Sequence, residues 1–113
     1  MYKRFNLKNK VAIITGACGL FGLEQIKALL ESSCTVIGVD IDKSKITNLK
    51  KKISNKKLTI LYCDATNFAQ VDKLSKSIIR KYKKVDILIN NLSFDYKPNK
   101  NLKKKTNFNN LSL

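Results

Sequence analysis

Short apolar runs alternate with amphipathic segments along most of the chain. Four runs rich in β-branched residues predict strands at 11–15, 35–39, 58–63 and 85–89. Apolar residues recur at helical spacing between these runs, at Leu23, Ile26 and Leu30; at Ile46, Leu49 and Ile53; and at Phe68, Val71, Leu74, Ile78 and Tyr82. Strands that alternate with helices imply a parallel sheet with right-handed crossovers and an α/β fold class.

The first strand is followed by three glycines spaced by three, Gly16, Gly19 and Gly22. In dinucleotide-binding folds the first glycine permits a sharp turn, and the second lets backbone N–H groups approach a pyrophosphate. The third lets the helix pack closely on the strand. The positive end of the helix dipole also favours an anion at this point. A tight turn in another kind of α/β protein is the alternative interpretation.

Asp40 ends the second apolar run. In a dinucleotide-binding fold an acid at this point accepts hydrogen bonds from the adenosine ribose hydroxyls. A carboxylate there would repel a 2′-phosphate, so the sequence predicts NAD rather than NADP. Lys43 and Lys45 are flexible cations that can reach such a phosphate. A turn or helix-capping role is the alternative for Asp40.

Asp64 follows the third strand, at the edge where open α/β sheets bind ligands. An adenine contact is predicted for it, with capping as the alternative, and Thr66 or Asn67 is predicted to cap the third helix. The stretch from 95 to 113 contains Pro98 and lacks periodicity. We therefore predict one nucleotide-binding domain over residues 1–93 and an irregular tail over 94–113.

The chain is strongly basic, with a net charge of +15 from 23 basic and 8 acidic residues. All the basic residues except Arg4 and Arg80 are lysine. This balance suits nucleic acid or an anionic membrane. The lysines are nevertheless spread along the sequence, without interleaved aromatic residues for base stacking. Nucleic acid is therefore not predicted as a functional partner, and any DNA association should be weak, independent of sequence and sensitive to salt.

Three cysteines, Cys18, Cys34 and Cys63, have no short pairing and no histidine to join them. This argues against a zinc site or a disulfide framework. Thiols in or beside apolar strands are typical of small buried residues in a reducing compartment. The apolar stretch near the start is too interrupted to span a membrane. We predict a soluble cytoplasmic protein without a metal site.

Four motifs in order, Thr-Gly-x-x-Gly-x-x-Gly at 15–22, Asp40, Cys-Asp-Ala-Thr at 63–66 and Asp-Ile-Leu-Ile-Asn-Asn at 86–91, resemble the short-chain dehydrogenase/reductase family. The resemblance covers residues 7 to 93 and implies a Rossmann-type doubly wound sheet in strand order 3-2-1-4. The resemblance also implies four sets of cofactor contacts. The pyrophosphate would be contacted by Gly16, Cys18, Gly19, Leu20, Phe21 and Gly22, and the adenosine ribose by Asp40 and Ile41. The adenine would be contacted by Asp64 and Ala65, and the nicotinamide-side ribose by Asn90, Asn91 and Leu92.

The chain departs from the family pattern in two ways. Its glycine spacing resembles the extended branch, whereas the two asparagines after the fourth strand resemble the single-domain branch, where Ala-Gly usually replaces Leu92-Ser93. The catalytic Asn, Ser, Tyr and Lys of the family lie beyond the position of Leu113. Tyr96 and Lys100 have Tyr-x-x-x-Lys spacing, but Pro98 between them opposes the required helix. No catalytic residue is predicted.

The resemblance implies that this chain is the NAD-binding N-terminal part of an oxidoreductase. The full-length form would transfer a hydride between the nicotinamide cofactor and an alcohol or ketone, and the chain alone is expected to be inactive. The alternatives are a non-enzymatic nucleotide-binding module and a basic nucleic-acid-binding protein. Because strand order 3-2-1-4 leaves the outer edge of the fourth strand unpaired, and Ile87, Leu88 and Ile89 lie in that strand, self-association is also predicted.

Overall fold

The computed structural model describes residues 6–91, which form a four-stranded parallel sheet with helices on both faces. The elements in chain order are β1 (Val11–Thr15), α1 (Gly22–Glu31), β2 (Thr35–Asp40), α2 (Lys43–Lys52), β3 (Leu58–Tyr62), α3 (Phe68–Tyr82) and β4 (Ile87–Asn90). The strand order is β3-β2-β1-β4, and all neighbouring pairs are parallel. The predicted fold class and strand order are therefore confirmed. The predicted boundary at residue 93 lies outside the described residues.

The two faces of the sheet are covered by different helices. Helices α1 and α2 bury Ile26, Ile46 and Leu49 against alternate strand residues, and the strand residues on this face include Ala12, Ile14, Val36 and Ile60. Helix α3 packs Ile78 on the opposite face, against the strand residues Val11, Ile37 and Val39. This arrangement follows from the two-residue period of a strand, which turns consecutive side chains to opposite faces.

The predicted inward stripe of α3 is wrong at its beginning. Leu74, Ile78 and Tyr82 pack towards the sheet as predicted, whereas Phe68 in the first turn is 83% exposed and Val71 is also exposed. The helix meets the sheet through its later turns, so its first turn has no layer of the described chain to pack against. Helical spacing identifies a stripe but does not show how much of it the sheet covers.

Asp86 ties the beginning of β4 to the beginning of β1. Its carboxylate accepts a hydrogen bond from the Val11 N–H at 2.8 Å, and its own N–H donates to the Val11 carbonyl at 2.8 Å. The Lys84 ammonium lies 3.2 Å from the same carboxylate oxygen. The Val11 N–H is the main cause of a lowered pKa for Asp86, with Lys84 adding to it.

Two of the three cysteines are buried as predicted. Cys34 and Cys63 lie in the apolar clusters on opposite faces of the sheet, whereas Cys18 in the β1–α1 turn is only partly buried. All three are free thiols. Within residues 6–91 no helix is long and apolar enough to cross a membrane, and no group of three or more potential ligands is placed to hold a metal ion.

Candidate cofactor site

The predicted site residues converge at the carboxyl edge of the sheet, where all four parallel strands end. The end of β1 lies between β2 and β4. From β1 the chain continues outwards to β2 and then to β3 on one side of β1. After β3 the chain returns to form β4 on the other side of β1. Open α/β sheets bind ligands at such a switch in strand order. The turn between β1 and α1, residues 16–21, lies at this point.

The β1–α1 turn requires glycine at its first position. Gly16 has a φ of +62°, and a Cβ placed on it would lie 3.0 Å from the carbonyl oxygen of Asn91, directly after β4. The turn is also tied to β2, because the Ala17 N–H donates to the Val39 carbonyl at 3.1 Å. A side chain at Gly16 would therefore be disfavoured both by its backbone conformation and by its contact with Asn91.

The other two glycines of the motif have different surroundings. A Cβ on Gly22 would lie 1.7 Å from the Ala17 carbonyl oxygen, so the turn itself occupies that space. A Cβ on Gly19 would meet only the Gly16 carbonyl oxygen, at 3.1 Å. Gly19 thus leaves a side of the turn open to a ligand. At Gly22 the close contact is therefore between the helix start and the turn. Gly38 in β2 also has little room for a side chain, because a Cβ placed on it would lie 3.0 Å from the Ala17 Cβ in the turn.

The Asp40 carboxylate holds the turn in place. One oxygen accepts from the Cys18 N–H at 2.9 Å, and the other accepts from the Asp42 N–H at 3.0 Å. The structural role left open for Asp40 is therefore realised. A carboxylate has about four lone-pair positions, so two such bonds leave it able to accept from a ribose diol as well.

The thiol of Cys18 faces this negative environment. Burial, followed by the nearby carboxylates of Asp40 and Asp42, raises the pKa of the Cys18 thiol to about 11. The thiol is therefore protonated at neutral pH, so Cys18 is a poor nucleophile. A neutral side chain in the turn also avoids the repulsion that a thiolate would exert on a bound pyrophosphate.

The lysines beside Asp40 belong to the first turn of α2. Asp42 caps this helix by accepting from the N–H groups of Ser44 and Lys45, each at 3.1 Å. The Lys43 ammonium lies 4.9 Å from the centre of the Tyr62 ring. This cation–π contact gives the cation an alternative to a ribose phosphate. Among residues 6–91 the single arginine, Arg80, lies in the last turn of α3 at the other edge of the sheet, and of the two lysines beside Asp40 one, Lys43, is already engaged with Tyr62.

Asp64 forms a turn rather than a helix cap. Its carboxylate accepts from the Thr66 hydroxyl at 2.6 Å and from the Thr66 N–H at 2.9 Å. The hydroxyl first, and then the N–H, lower the pKa of the Asp64 carboxyl. Asn67 caps α3 by accepting from the Gln70 N–H at 3.2 Å. Asp64 and the half-buried Ala65 remain at the carboxyl edge, where an adenine contact is predicted.

The two asparagines after β4 have different partners. Asn90 accepts from the Thr15 hydroxyl at 2.7 Å. Asn91 exchanges hydrogen bonds with the side-chain amide of Gln25 in α1. The Asn91 side chain is therefore used to fix the end of β4 to α1. Leu92 lies outside the described residues.

Gln25 was not predicted from the sequence. It is half-buried on α1 beside the fully buried Ile26. A polar residue near an apolar stripe is a weak signal by itself, because many such residues point to solvent. Only the pairing with Asn91 shows what Gln25 does.

Exposed apolar side chains surround the carboxyl edge. Among residues 6–91, five of the nine exposed large hydrophobic residues lie there: Leu20, Phe21, Ile41, Tyr62 and Phe68. Leu20 is the most exposed of the five, at 87%. Grouped apolar exposure of this kind marks ligand or partner sites. The edge therefore combines an open glycine turn, a carboxylate and apolar surface.

Comparison with known proteins gives consistent matches. A family model described as short chain dehydrogenase matches residues 10–112. Short-chain dehydrogenase reductase 3b of Arabidopsis thaliana is 32% identical over 85 residues, which are 75% of this chain and 33% of that protein. Galactitol 2-dehydrogenase of Agrobacterium fabrum is 36% identical over 93 residues, 81% of this chain and 36% of that protein.

A solved structure gives the same result. The 3-ketoacyl-(acyl-carrier-protein) reductase of Brucella melitensis, crystallised with NADH, superposes with a TM-score of 0.64 at 33% identity. The match covers 73% of this chain and 33% of the reductase. The chain thus spans about a third of the length of the relatives that it matches.

Proposed function

Since this chain belongs to the short chain dehydrogenase family, we propose that its carboxyl edge binds NAD and contributes the cofactor half of an oxidoreductase. The observation that carries the proposal is the β1–α1 turn. It is open at Gly19 and held by the Asp40 carboxylate at the Cys18 N–H. A turn with these properties offers backbone N–H groups to a pyrophosphate at the beginning of a helix.

The proposed contacts follow the cofactor along the carboxyl edge. The pyrophosphate lies on the turn from Gly16 to Gly22, and Asp40 with Ile41 holds the adenosine ribose. Asp64 and Ala65 lie beside the adenine, and residues 90–92 lie beside the nicotinamide-side ribose. When bound, NAD supplies the hydride acceptor. This chain's residues bind and orient it.

The proposed preference for NAD over NADP depends on Asp40. A carboxylate accepts hydrogen bonds from a free diol, but it repels a 2′-phosphate. The engagement of Lys43 with the Tyr62 ring supports this preference, because it leaves fewer cations to offset the repulsion.

Isothermal titration calorimetry with NAD and NADP tests the proposal. Asp40→Asn is the informative variant, because its amide oxygen can still accept from the Cys18 N–H, whereas the charge and the second acceptor, for the Asp42 N–H, are lost. We expect the affinity for NAD to fall about tenfold, which is the contribution of one charge-assisted hydrogen bond. The difference between the affinities for NAD and NADP should also become smaller. Asp86→Asn is the matched control, since Asp86 also accepts from a main-chain N–H but lies at the opposite edge. Equal or tighter binding of NADP by the unaltered chain would refute the role of Asp40.

For the full-length protein we propose hydride transfer between NAD and an alcohol or ketone. Hydride transfer requires the nicotinamide and substrate at a reactive distance, with a proton donor or acceptor beside the oxygen. Tyr96 and Lys100 lie outside the described residues, and Pro98 between them opposes a helical pair. We therefore expect the 113 residues alone to reduce no NAD with a panel of alcohols, measured by NADH absorbance. Turnover that disappears in Tyr96→Phe would overturn this assignment.

A further inference from the structure

The described residues carry their excess positive charge at the amino edge of the sheet, where the strands begin. Eleven exposed basic side chains precede strands or end helices at this edge, and they are Lys8, Lys10, Lys50, Lys51, Lys52, Lys56, Lys57, Arg80, Lys81, Lys83 and Lys84. Only two acidic residues, Glu31 and Asp86, share the edge. The amino edge lies at the opposite end of the strands from the candidate cofactor site.

The remainder of the described structure is electrically balanced. Its five basic residues are Lys27, Lys43, Lys45, Lys73 and Lys76. Its five acidic residues are Glu24, Asp40, Asp42, Asp64 and Asp72. Lysines that are spread along the sequence are therefore concentrated in space. The reason is topological, because the helices run antiparallel to the strands and their ends share an edge with the strand starts.

Helix dipoles explain only part of this concentration. A cation is favoured in the last turn of a helix, which accounts for 50–52 in α2 and for Arg80 and Lys81 in α3. Lys83 follows α3 and its ammonium donates to the Arg80 carbonyl at 3.0 Å. Lys8, Lys10, Lys56 and Lys57, in the segments before strands, gain nothing from a helix end. Of the three ion pairs among residues 6–91, only the pair between Lys84 and Asp86 lies at this edge. Most of the charge is therefore not neutralised within the described structure.

We propose that the amino edge is a docking surface for the phosphate backbone of a nucleic acid. Exposed lysines are suited to phosphates because they act as point charges without reading bases. Membrane-docking surfaces combine basic residues with inserted apolar side chains. Of the nine exposed large hydrophobic residues among residues 6–91, five lie at the carboxyl edge, and only Ile79, 48% exposed, and Val85, 39% exposed, lie beside the basic cluster. The proposal does not depend on the cofactor site.

The salt dependence of duplex binding can be estimated from the number of phosphates contacted. If about five phosphates are contacted, the logarithm of affinity falls with the logarithm of salt concentration at a slope of about −4.5. Affinity then decreases about 500-fold between about 50 and about 200 mM salt. Binding should also be the same for duplexes of different sequence.

The test uses the full chain, a short fluorescein-labelled DNA duplex and fluorescence anisotropy. The edge variant carries Lys8→Gln, Lys50→Gln, Lys51→Gln, Lys52→Gln and Lys56→Gln. The control removes the same charge elsewhere, with Lys27→Gln, Lys43→Gln, Lys45→Gln, Lys73→Gln and Lys76→Gln. We expect the edge variant to bind at least about tenfold more weakly at low salt, with a shallower slope, and the control to change about threefold or less. Equal weakening of both variants would overturn the proposal.

Two further measurements separate the alternatives. Saturating NAD should leave duplex binding unchanged, because the two edges are at opposite ends of the strands, and competition would show that the duplex occupies the cofactor site instead. Tighter binding to phosphatidylserine vesicles than to the duplex, lost in the edge variant, would assign the surface to membranes. Circular dichroism checks folding. If the edge variant does not fold, Lys8→Gln with Lys56→Gln is compared with Lys73→Gln plus Lys76→Gln, and equal binding of these pairs also contradicts the proposal.

Discussion

The glycines of the β1–α1 turn provide a sharp test of the site, because two alanine substitutions should have opposite consequences. Gly22→Ala places a methyl group where the Ala17 carbonyl oxygen would be 1.7 Å away. Contacts this short are relieved only by moving the turn or the helix start. Overpacking of this severity costs about 3 kcal/mol. Because Gly22 is the first residue of α1, alanine there returns at most about 1 kcal/mol, the value for a helix interior.

The net destabilisation expected for Gly22→Ala is therefore at least about 2 kcal/mol. For a domain of this size, that corresponds to a decrease of about 8–16 °C in the melting temperature. Gly19→Ala meets only the Gly16 carbonyl oxygen, at 3.1 Å, so its melting temperature should stay close to that of the unaltered chain. Its methyl group lies on the open side of the turn, however, and should weaken NAD binding about tenfold or more, or about 1.4 kcal/mol.

Thermal melting by circular dichroism and NAD titration by calorimetry measure both effects on both variants. The expected pattern is a stable Gly19→Ala that binds NAD poorly and an unstable Gly22→Ala. A Gly22→Ala variant as stable as the unaltered chain would show that the described turn is wrong. Unchanged NAD affinity in a folded Gly19→Ala would show that the pyrophosphate does not approach this glycine.

Three further predictions concern other parts of the chain. Because the Cys18 thiol has a pKa raised to about 11 from 9.0, its alkylation by iodoacetamide at pH 8 should be about 100-fold slower in the folded than in the unfolded chain, as peptide mass spectrometry would show; equal rates contradict the assigned environment. The pKa of Asp86 is lowered in the folded state, so its stabilising contribution is present above the unfolded value of about 3.8 and is lost as the pH falls. Acid titration of unfolding should therefore be flatter for Asp86→Asn, and an unchanged profile would refute this. Finally, β4 pairs only with β1 among the described strands, and Leu88 is 65% exposed. We expect self-association that Leu88→Lys reduces in light scattering, whereas a cooperatively melting monomer would contradict it.

The order of elements and the position of the site could be predicted from the sequence for a clear reason. Strand and helix periodicities are local, so the ends of β1 and β2 can be located in the sequence. Gly16 comes directly after β1, and Asp40 is the last residue of β2. Once the strands are parallel, their carboxyl ends must meet at one edge. The resemblance supplied the strand order, which depends on contacts far apart in the sequence.

The tertiary structure decided which surfaces meet. The sequence contains the stripe on α3, but only packing shows that Phe68 is left outside it. Gln25 pairs with Asn91, and Gly38 in β2 lies close to Ala17 of the β1–α1 turn, because distant segments approach there. The concentration of eleven basic residues at the amino edge has the same origin. Periodicity determines what each segment can bury, whereas chain topology determines which side chains share an edge.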